Sequence, residues 1–213
     1  MLYRVNEIFY SLQGEGFWTG TPMVFVRLSG CNLRCPFCDT DHSEFRLMGP
    51  EEIVKEVVQL DRGANRRNPS WDGCGHVCMT GGEPLLQLEP ALIDLLHKYD
   101  YSIHLETNGT RPVPPLVDWV TLSPKEDVPH LGGNGKVVLE SAQEVKLVYD
   151  GTLSEERLQH WAAFPAKWHF LQPCATGDPA KDAVIIQKTI DYVQARGQLW
   201  RLSLQTHKLL NIR

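Results

Sequence analysis

The chain has 213 residues, 42% of them hydrophobic and 22% charged, with a formal net charge of −5. That length fits a single domain spanning residues 1–213 with a sizeable core, and no stretch is apolar enough to span a membrane. The acidic balance argues against a nucleic-acid partner, whose binding rests on neutralised phosphates. The first residues lack the basic start and apolar run of a signal peptide, so a cytoplasmic location and a small-molecule substrate are expected.

In chain order, Met23 to Leu28 reads as a strand. Pro50, Glu51 and Glu52 open a helix with acids in the first turn, where the macrodipole favours them, and Ile53/Val57 and Val54/Val58 form its apolar stripe. Asp61 to Gly75, which includes the Arg66-Arg67 pair, is rich in Gly, Asn, Arg and Pro and reads as a solvated loop. Val77 to Thr80 is a second strand. Pro90 starts a helix with Leu92, Leu95, Leu96 and Tyr99 on one face. Ile103 to Glu106, Trp119 to Leu122, Val145 to Val148 and Trp168 to Leu171 are further strands. Thr152 and Glu155 have capping-box spacing ahead of a helix around Leu158 and Trp161. Asp178-Pro179 opens the longest helix, with Ala183, Ile186, Ile190 and Val193 facing inward and Gly197 at its end. Leu202 to Gln205 closes the series as a strand. Alternating strands and helices predict an α/β fold with mostly parallel strands. In such sheets and barrels ligands gather at the carboxyl ends of the strands.

Of the six cysteines, Cys31, Cys35 and Cys38 lie in one short run, Cys31-Asn32-Leu33-Arg34-Cys35-Pro36-Phe37-Cys38, directly after the first predicted strand. In a reducing compartment clustered cysteines point to metal rather than disulfides. Three thiolates at this spacing suit a [4Fe-4S] cluster with one iron left open, since a fully protein-ligated cluster takes four. A structural zinc site, completed by His42, Cys74 or Cys78, fits the spacing as well. Cys78 in a β-run reads as a small buried hydrophobe. Cys74 reads as incidental, with a second metal as the alternative.

The pattern C-x3-C-x-aromatic-C resembles the signature of the radical S-adenosylmethionine (SAM) superfamily. Thr80-Gly81-Gly82-Glu83-Pro84, at the end of a strand, resembles that superfamily's GGEP segment, whose glycines permit close backbone approach. The resemblance implies a partial, incomplete TIM-like barrel, a radical SAM core with a cluster on Cys31, Cys35 and Cys38, and SAM on the open iron. It assigns Phe37, Cys38, Asp39, Gly81, Gly82 and Glu83 to SAM. Ser123, Pro124 and Lys125, and Gln172 and Pro173 with Cys174 and Ala175, are similar to further SAM contacts, although Cys174-Ala175 is less polar than that pattern. Glu106, Thr107 and Asn108 follow a strand and are expected beside them.

From residue 7 to residue 213 the chain resembles one family, the 7-carboxy-7-deazaguanine synthases of queuosine and related deazapurine biosynthesis. Glu7 to Gly20 carries the likeness at one end, Leu204 to Arg213 at the other, and Cys38-Asp39-Thr40 adds to it. The implied activity is a lyase reaction, the ring contraction of 6-carboxy-5,6,7,8-tetrahydropterin with loss of ammonia. SAM is used catalytically and Mg²⁺ is required. An electron donor such as flavodoxin or ferredoxin and a homodimer are the implied partners. Leu12, Gln13, Gly14, Glu15, Arg27, Thr80, His207 and the terminal carboxylate of Arg213 resemble substrate contacts, and Thr40, beside Asp39, the Mg²⁺ ligand. No side chain is assigned as catalytic, the radical being supplied by SAM.

The residues allow blander readings. Arg27, a lone cation in an apolar strand, suits bidentate carboxylate recognition or a structural ion pair. Thr40 is otherwise an ordinary loop residue and His207 a packed or surface histidine. Two rival functions are an enzyme that installs a glycyl radical on a large protein and a zinc-stabilised binding module.

Overall fold

The computed structural model describes residues 1–38, 40–64, 73–126 and 135–213. The expectations for Asp39 and for Arg66-Arg67 lie outside these residues. The elements are β1 (Tyr3–Leu12), β2 (Pro22–Leu28), β3 (Arg46–Met48), α1 (Pro50–Ala64), β4 (His76–Gly81), α2 (Pro90–His97), β5 (Ser102–Thr107), β6 (Trp119–Leu122), β7 (Ala142–Tyr149), α3 (Glu155–Ala162), β8 (Ala166–Pro173), α4 (Pro179–Ala195), β9 (Arg201–Leu202) and α5 (Thr206–Leu210). They build one nine-stranded sheet in the order β3-β1-β2-β4-β5-β6-β7-β8-β9. From β2 through β4 to β9 the strands run parallel, while β1 is antiparallel to both β2 and β3. The fold is α/β, an open partial barrel.

Side-chain alternation builds the layers. On β7, Val145 and Leu147 are buried against Leu158 and Trp161 of α3. The residues that alternate with them, Glu144 and Lys146, are also buried but take the opposite face. The first half repeats the scheme: Val26, Leu28, Val77, Met79, Ile103 and Leu105 meet Ile53, Val54 and Val57 of α1 and Leu92, Ile93 and Leu96 of α2. Burying each such side chain contributes about 1.5–3 kcal/mol. The outer face of the sheet is thus the apolar core, and the concave face is free to be polar.

At the amino ends of the strands the concavity is plugged. Phe17 stacks on Trp119 and Trp168, with centroids 5.0 and 5.2 Å away. Trp18 meets His104 edge-on at 4.9 Å, and His104 lies 3.0 Å, nitrogen to nitrogen, from His76. Burial, then His76, pushes His104 down to about 4, which keeps it neutral. The opposite end, where the carboxyl termini converge, is left open.

Several expectations need correction. β1 and β3 were not expected as strands, nor α5 as a helix. Asp61 to Ala64 is the last turn of α1 and not loop, because the buried Asp61 carboxylate accepts from the Cys74 amide at 2.7 Å and the Tyr101 hydroxyl at 2.9 Å. α2 ends at His97, so Tyr99 lies beyond it and is exposed; Ile93 completes the buried face. The cap of α3 is Ser154, whose hydroxyl accepts from Arg157 N, because Thr152 is engaged by Asp150. α4 begins at Asp178 as expected, but it buries Ile185 and Thr189 and leaves Ala183 and Ile186 exposed. β9 stops at Leu202, after which the chain turns across the open end of the barrel. Cys78 is fully buried, as read.

Candidate active site

A cavity of about 280 Å³ opens at the carboxyl ends of the parallel strands, near the lower limit for small-molecule sites. Cys31, Cys35 and Cys38 line it together, with Phe37 beside them. Burial raises the Cys31 and Cys35 thiols; Glu83 and Cys38 add to it at Cys31, and Cys31 and Cys38 at Cys35. A metal therefore has to displace their protons. Among the described residues no three His, Cys, Asp or Glu side chains are gathered closely enough to hold a single ion. A cubane takes each thiolate on a different iron and asks for a wider spread. The residues present fit a cluster.

Beside Cys31 lies a glycine shelf at the end of β4. Gly81 has φ +127°, and a Cβ there would collide with the Leu28 carbonyl; one on Gly82 would collide with the Gly30 carbonyl. Only glycine lets β4 finish this close to the root of the cysteine loop. Glu83, expected at SAM, does not line the cavity. It is wholly buried behind the shelf and accepts from Thr107 Oγ1, Asn108 N and Leu85 N at 2.8, 2.8 and 3.0 Å. Ser123 and Lys125 do line the cavity, joined by a 2.7 Å hydrogen bond from Nζ to Oγ; Pro124 between them does not. Gln172, Pro173, Cys174 and Ala175 form the far wall, and Thr107 and Asn108 a third side.

The centre of the polar face is Lys146. Its ammonium lies 2.5 Å from Glu15 and 2.8 Å from Glu106, and its side chain is only 5% exposed. Although burial opposes ionisation, Lys146 and a Gln205 hydrogen bond bring Glu15 down to about 2. Glu106, more burdened by burial and by Glu15, is raised. Glu144, one inward position below Lys146, is pushed to about 7 by burial and then by Glu106. Its carboxylate accepts from Phe17 N at 3.0 Å and Thr121 Oγ1 at 3.1 Å, and it lies where a Gly16 Cβ would be. One strand thus grips the loop after β1 twice: Lys146 holds Glu15 at the cavity, and Glu144 holds the backbone as it descends to the aromatic plug. That fixes Gln13, Gly14 and Glu15 at the cavity wall.

At the mouth, Arg27 Nε donates to Glu7 at 2.9 Å and Nη1 to Thr40 Oγ1 at 3.3 Å. The ion-pair reading of Arg27 is therefore realised, yet the residue also lines the cavity with Leu12, Thr40 and Thr80. The C-terminal segment closes over this side. Thr206 N donates to Gly14 O at 2.9 Å, Ser11 Oγ donates to Arg213 O, and the Arg213 guanidinium lies 3.3 Å from Glu7. His207 and Arg213 thereby join the lining.

Against known proteins, the radical SAM superfamily profile matches residues 25–126. The 7-carboxy-7-deazaguanine synthase of Bacteroides thetaiotaomicron is 45% identical over 213 residues, with both chains fully covered. The chain belongs to the 7-carboxy-7-deazaguanine synthase family. The Burkholderia multivorans 7-carboxy-7-deazaguanine synthase is 36% identical over 229 residues, again covering all of both chains. The crystal structure of QueE from Escherichia coli superposes with a TM-score of 0.73 at 30% identity, over 97% of this chain and 95% of that one. Streptococcus suis SuiB, at 14% identity and a TM-score of 0.51, shares the fold. In this synthase-family chain the sequence reading missed Lys146, Gln205 and Lys208 of the lining. Lys146 had a usable signal, a single cation inside Val145-Lys146-Leu147-Val148, the same pattern that drew attention to Arg27.

Proposed function

We propose that this single-domain protein converts 6-carboxy-5,6,7,8-tetrahydropterin to 7-carboxy-7-deazaguanine with loss of ammonia. The observation that carries this reading is one cavity lined by the cysteine triad, the glycine shelf and a buried Lys146–Glu15–Glu106 network. A charged interior of that kind suits a small, flat, hydrogen-bonding substrate and not a peptide segment of a glycyl-radical protein. Arg27, Glu15 and His207 all line the same cavity, which also favours the small substrate.

In this reading Cys31, Cys35 and Cys38 hold the cluster. Phe37, Asp39, Gly81, Gly82, Ser123, Lys125, Gln172 and Pro173, with Cys174 and Ala175, surround SAM. When bound, these cofactors would together supply the radical that starts the reaction. The protein's own groups do the rest. Gln13, the Gly14 backbone and Glu15 accept and donate along the pterin edge with Leu12 and Thr80 packed around it, and Glu15 stays ionised throughout. The Lys146 ammonium, held between Glu15 and Glu106, sets a fixed positive charge in the cavity wall against which the substrate is oriented. Arg27 receives the substrate carboxylate, for which Glu7 now stands in, while His207 and the terminal carboxylate of Arg213 meet the substrate from the mouth. Arg27→Ala is expected to raise the pterin Kd by about 30-fold or more, since losing one partner of a buried charge pair costs about 2–5 kcal/mol, while SAM affinity holds. An unchanged pterin Kd by equilibrium titration would remove the carboxylate role.

Mg²⁺ belongs to the same proposal. Thr40 offers a hard oxygen in the cavity, and Mg²⁺ takes few protein oxygens, leaving the rest of its shell to substrate and water. The substrate carboxylate would draw Arg27 off the Thr40 hydroxyl and so release it. Thr40→Val should lower turnover about tenfold and flatten the Mg²⁺ dependence with SAM binding intact. Full turnover with the wild-type Mg²⁺ response would place the ion elsewhere.

A flavodoxin or ferredoxin donor follows from the need to reduce the cluster. Exposed Leu2 and the exposed Leu47 of edge strand β3 support a homodimer, because unpaired edges invite pairing. Six free thiols, and no described helix long and apolar enough to cross a membrane, support a cytoplasmic location.

A further inference from the structure

We propose that Asn32 is a positioning residue whose side-chain amide closes a ring of hydrogen bonds around Cys31 and fixes that thiol at the cavity wall. The ring can be followed atom by atom. Gly30 O accepts from Glu83 N at 2.9 Å. Glu83 Oε2 accepts from Asn108 N at 2.8 Å. Asn108 Nδ2 donates to Asn32 Oδ1 at 3.0 Å. The main chain from Asn32 through Cys31 back to Gly30 completes the circuit. Cys31 is therefore held at both flanks, by a backbone carbonyl on one side and a side-chain amide on the other.

A second strap locks the amide's orientation. Asn32 Nδ2 donates to Thr110 Oγ1 at 2.8 Å, and that hydroxyl donates to Asn108 Oδ1 at 2.7 Å. Thr110 N reaches the same Asn108 oxygen at 3.0 Å. Each hydroxyl and amide atom is used in its own sense as donor or acceptor. A flipped Asn32 amide would set its NH₂ group against that of Asn108. The remaining Glu83 oxygen is occupied by Thr107 Oγ1 and Leu85 N, so the ring is anchored in the turn after β5 and in the glycine shelf alike. Leu33, buried next in sequence, donates its amide to Cys31 Sγ at 3.4 Å.

The other two thiols are held differently. Cys35 and Cys38 share a local turn, Cys38 N donating to Cys35 O at 3.1 Å, and Cys38 is exposed. The cluster loop thus has one rigid corner and one adaptable turn. Cys31 is set in register with Gly81, Gly82 and Asn108, the wall on which SAM would lie, and the turn closes afterwards. This inference rests on the cluster assignment above.

The test uses the full chain, anaerobically reconstituted with iron and sulfide. Asn32→Ala, Asn32→Asp and Thr110→Val are compared with wild type. The readouts are the rate of iron loss to EDTA, SAM affinity and the EPR spectrum of the reduced cluster with and without SAM. Asn32→Ala is expected to lose iron at least fivefold faster, bind SAM about tenfold more weakly and show an altered SAM-bound spectrum. Asn32→Asp keeps an oxygen for Asn108 and offers a second to the Thr110 hydroxyl, so it should restore most of the iron retention. Thr110→Val leaves the cysteine loop untouched and should shift the same readouts in the same direction by less, which keeps the test open where Asn32→Ala does not fold. Wild-type iron release and spectra in Asn32→Ala, or in Thr110→Val if the former is unfolded, overturn the ring while leaving the cluster assignment standing. A wild-type chain that binds no iron overturns both.

Discussion

Lys146→Met is expected to lower stability by about 3–5 kcal/mol and product formation at least 100-fold. Lys146 is the cation between Glu15 and Glu106, and removing one partner of a buried ion pair strands the remaining charges in low dielectric. The pH dependence has a definite sign. Without Lys146 the two buried carboxyls hold their protons more tightly than in the unfolded chain, so stability falls as pH rises through the carboxylate range and above it. The variant should be closest to wild type in acid and most impaired at pH 8. Urea unfolding midpoints between pH 5 and pH 8, beside single-turnover product analysis, read both effects. A stability within about 0.5 kcal/mol of wild type at pH 8, the size of effect usual for surface substitutions, would remove Lys146 from the centre of the site.

Cys35→Ala should remove the cluster and with it SAM cleavage, by roughly three orders of magnitude or to the limit of detection. Three protein ligands leave one iron of a cubane open, and of the cysteines outside the triad only Cys174 also lines the cavity. Cys74 is tied to Asp61 through its amide and its thiol is pushed up to about 11, chiefly by burial. Cys174 lines the far wall beside Ala175. Cys74→Ala and Cys174→Ala are accordingly expected to keep iron and SAM cleavage. Iron content and 5′-deoxyadenosine formation separate the cases, and a Cys35→Ala protein with normal values of both would end the cluster assignment.

Much of the architecture was legible because it is written in local patterns. The strands from Met23 to Leu28 through Trp168 to Leu171 are apolar runs bounded by turn residues, and Asp178-Pro179 states its own cap. The elements that eluded the sequence are those with a broken or degenerate pattern. β1 carries an irregular register between Val5 and Glu7, which interrupts its period of two. On α4, Val184, Ile185 and Ile186 are consecutive, so spacing alone does not choose the buried face; contact with β8 and β9 does. Thr152 and Ser154 are both competent caps, and a hydrogen bond to Asp150 decides between them.

The site divides in the same way. The cysteines and glycines are legible because their chemistry needs a fixed local spacing. The Lys146 network is not, because Glu15, Glu106 and Lys146 come from separate parts of the chain and meet only through the topology of the sheet. Glu83 shows the converse. Its motif points to the cofactor, while its hydrogen bonds turn it toward Asn108 and the cysteine loop.

The most direct test is one anaerobic reaction. The reconstituted chain is supplied with SAM, Mg²⁺, a reductant and 6-carboxy-5,6,7,8-tetrahydropterin, and the mixture is analysed by mass spectrometry with a parallel ammonia assay. The expected products are 7-carboxy-7-deazaguanine and ammonia in equal amounts over many turnovers, with the SAM concentration unchanged and every product signal lost in Cys35→Ala. Steady accumulation of 5′-deoxyadenosine with the pterin untouched would contradict the proposed reaction.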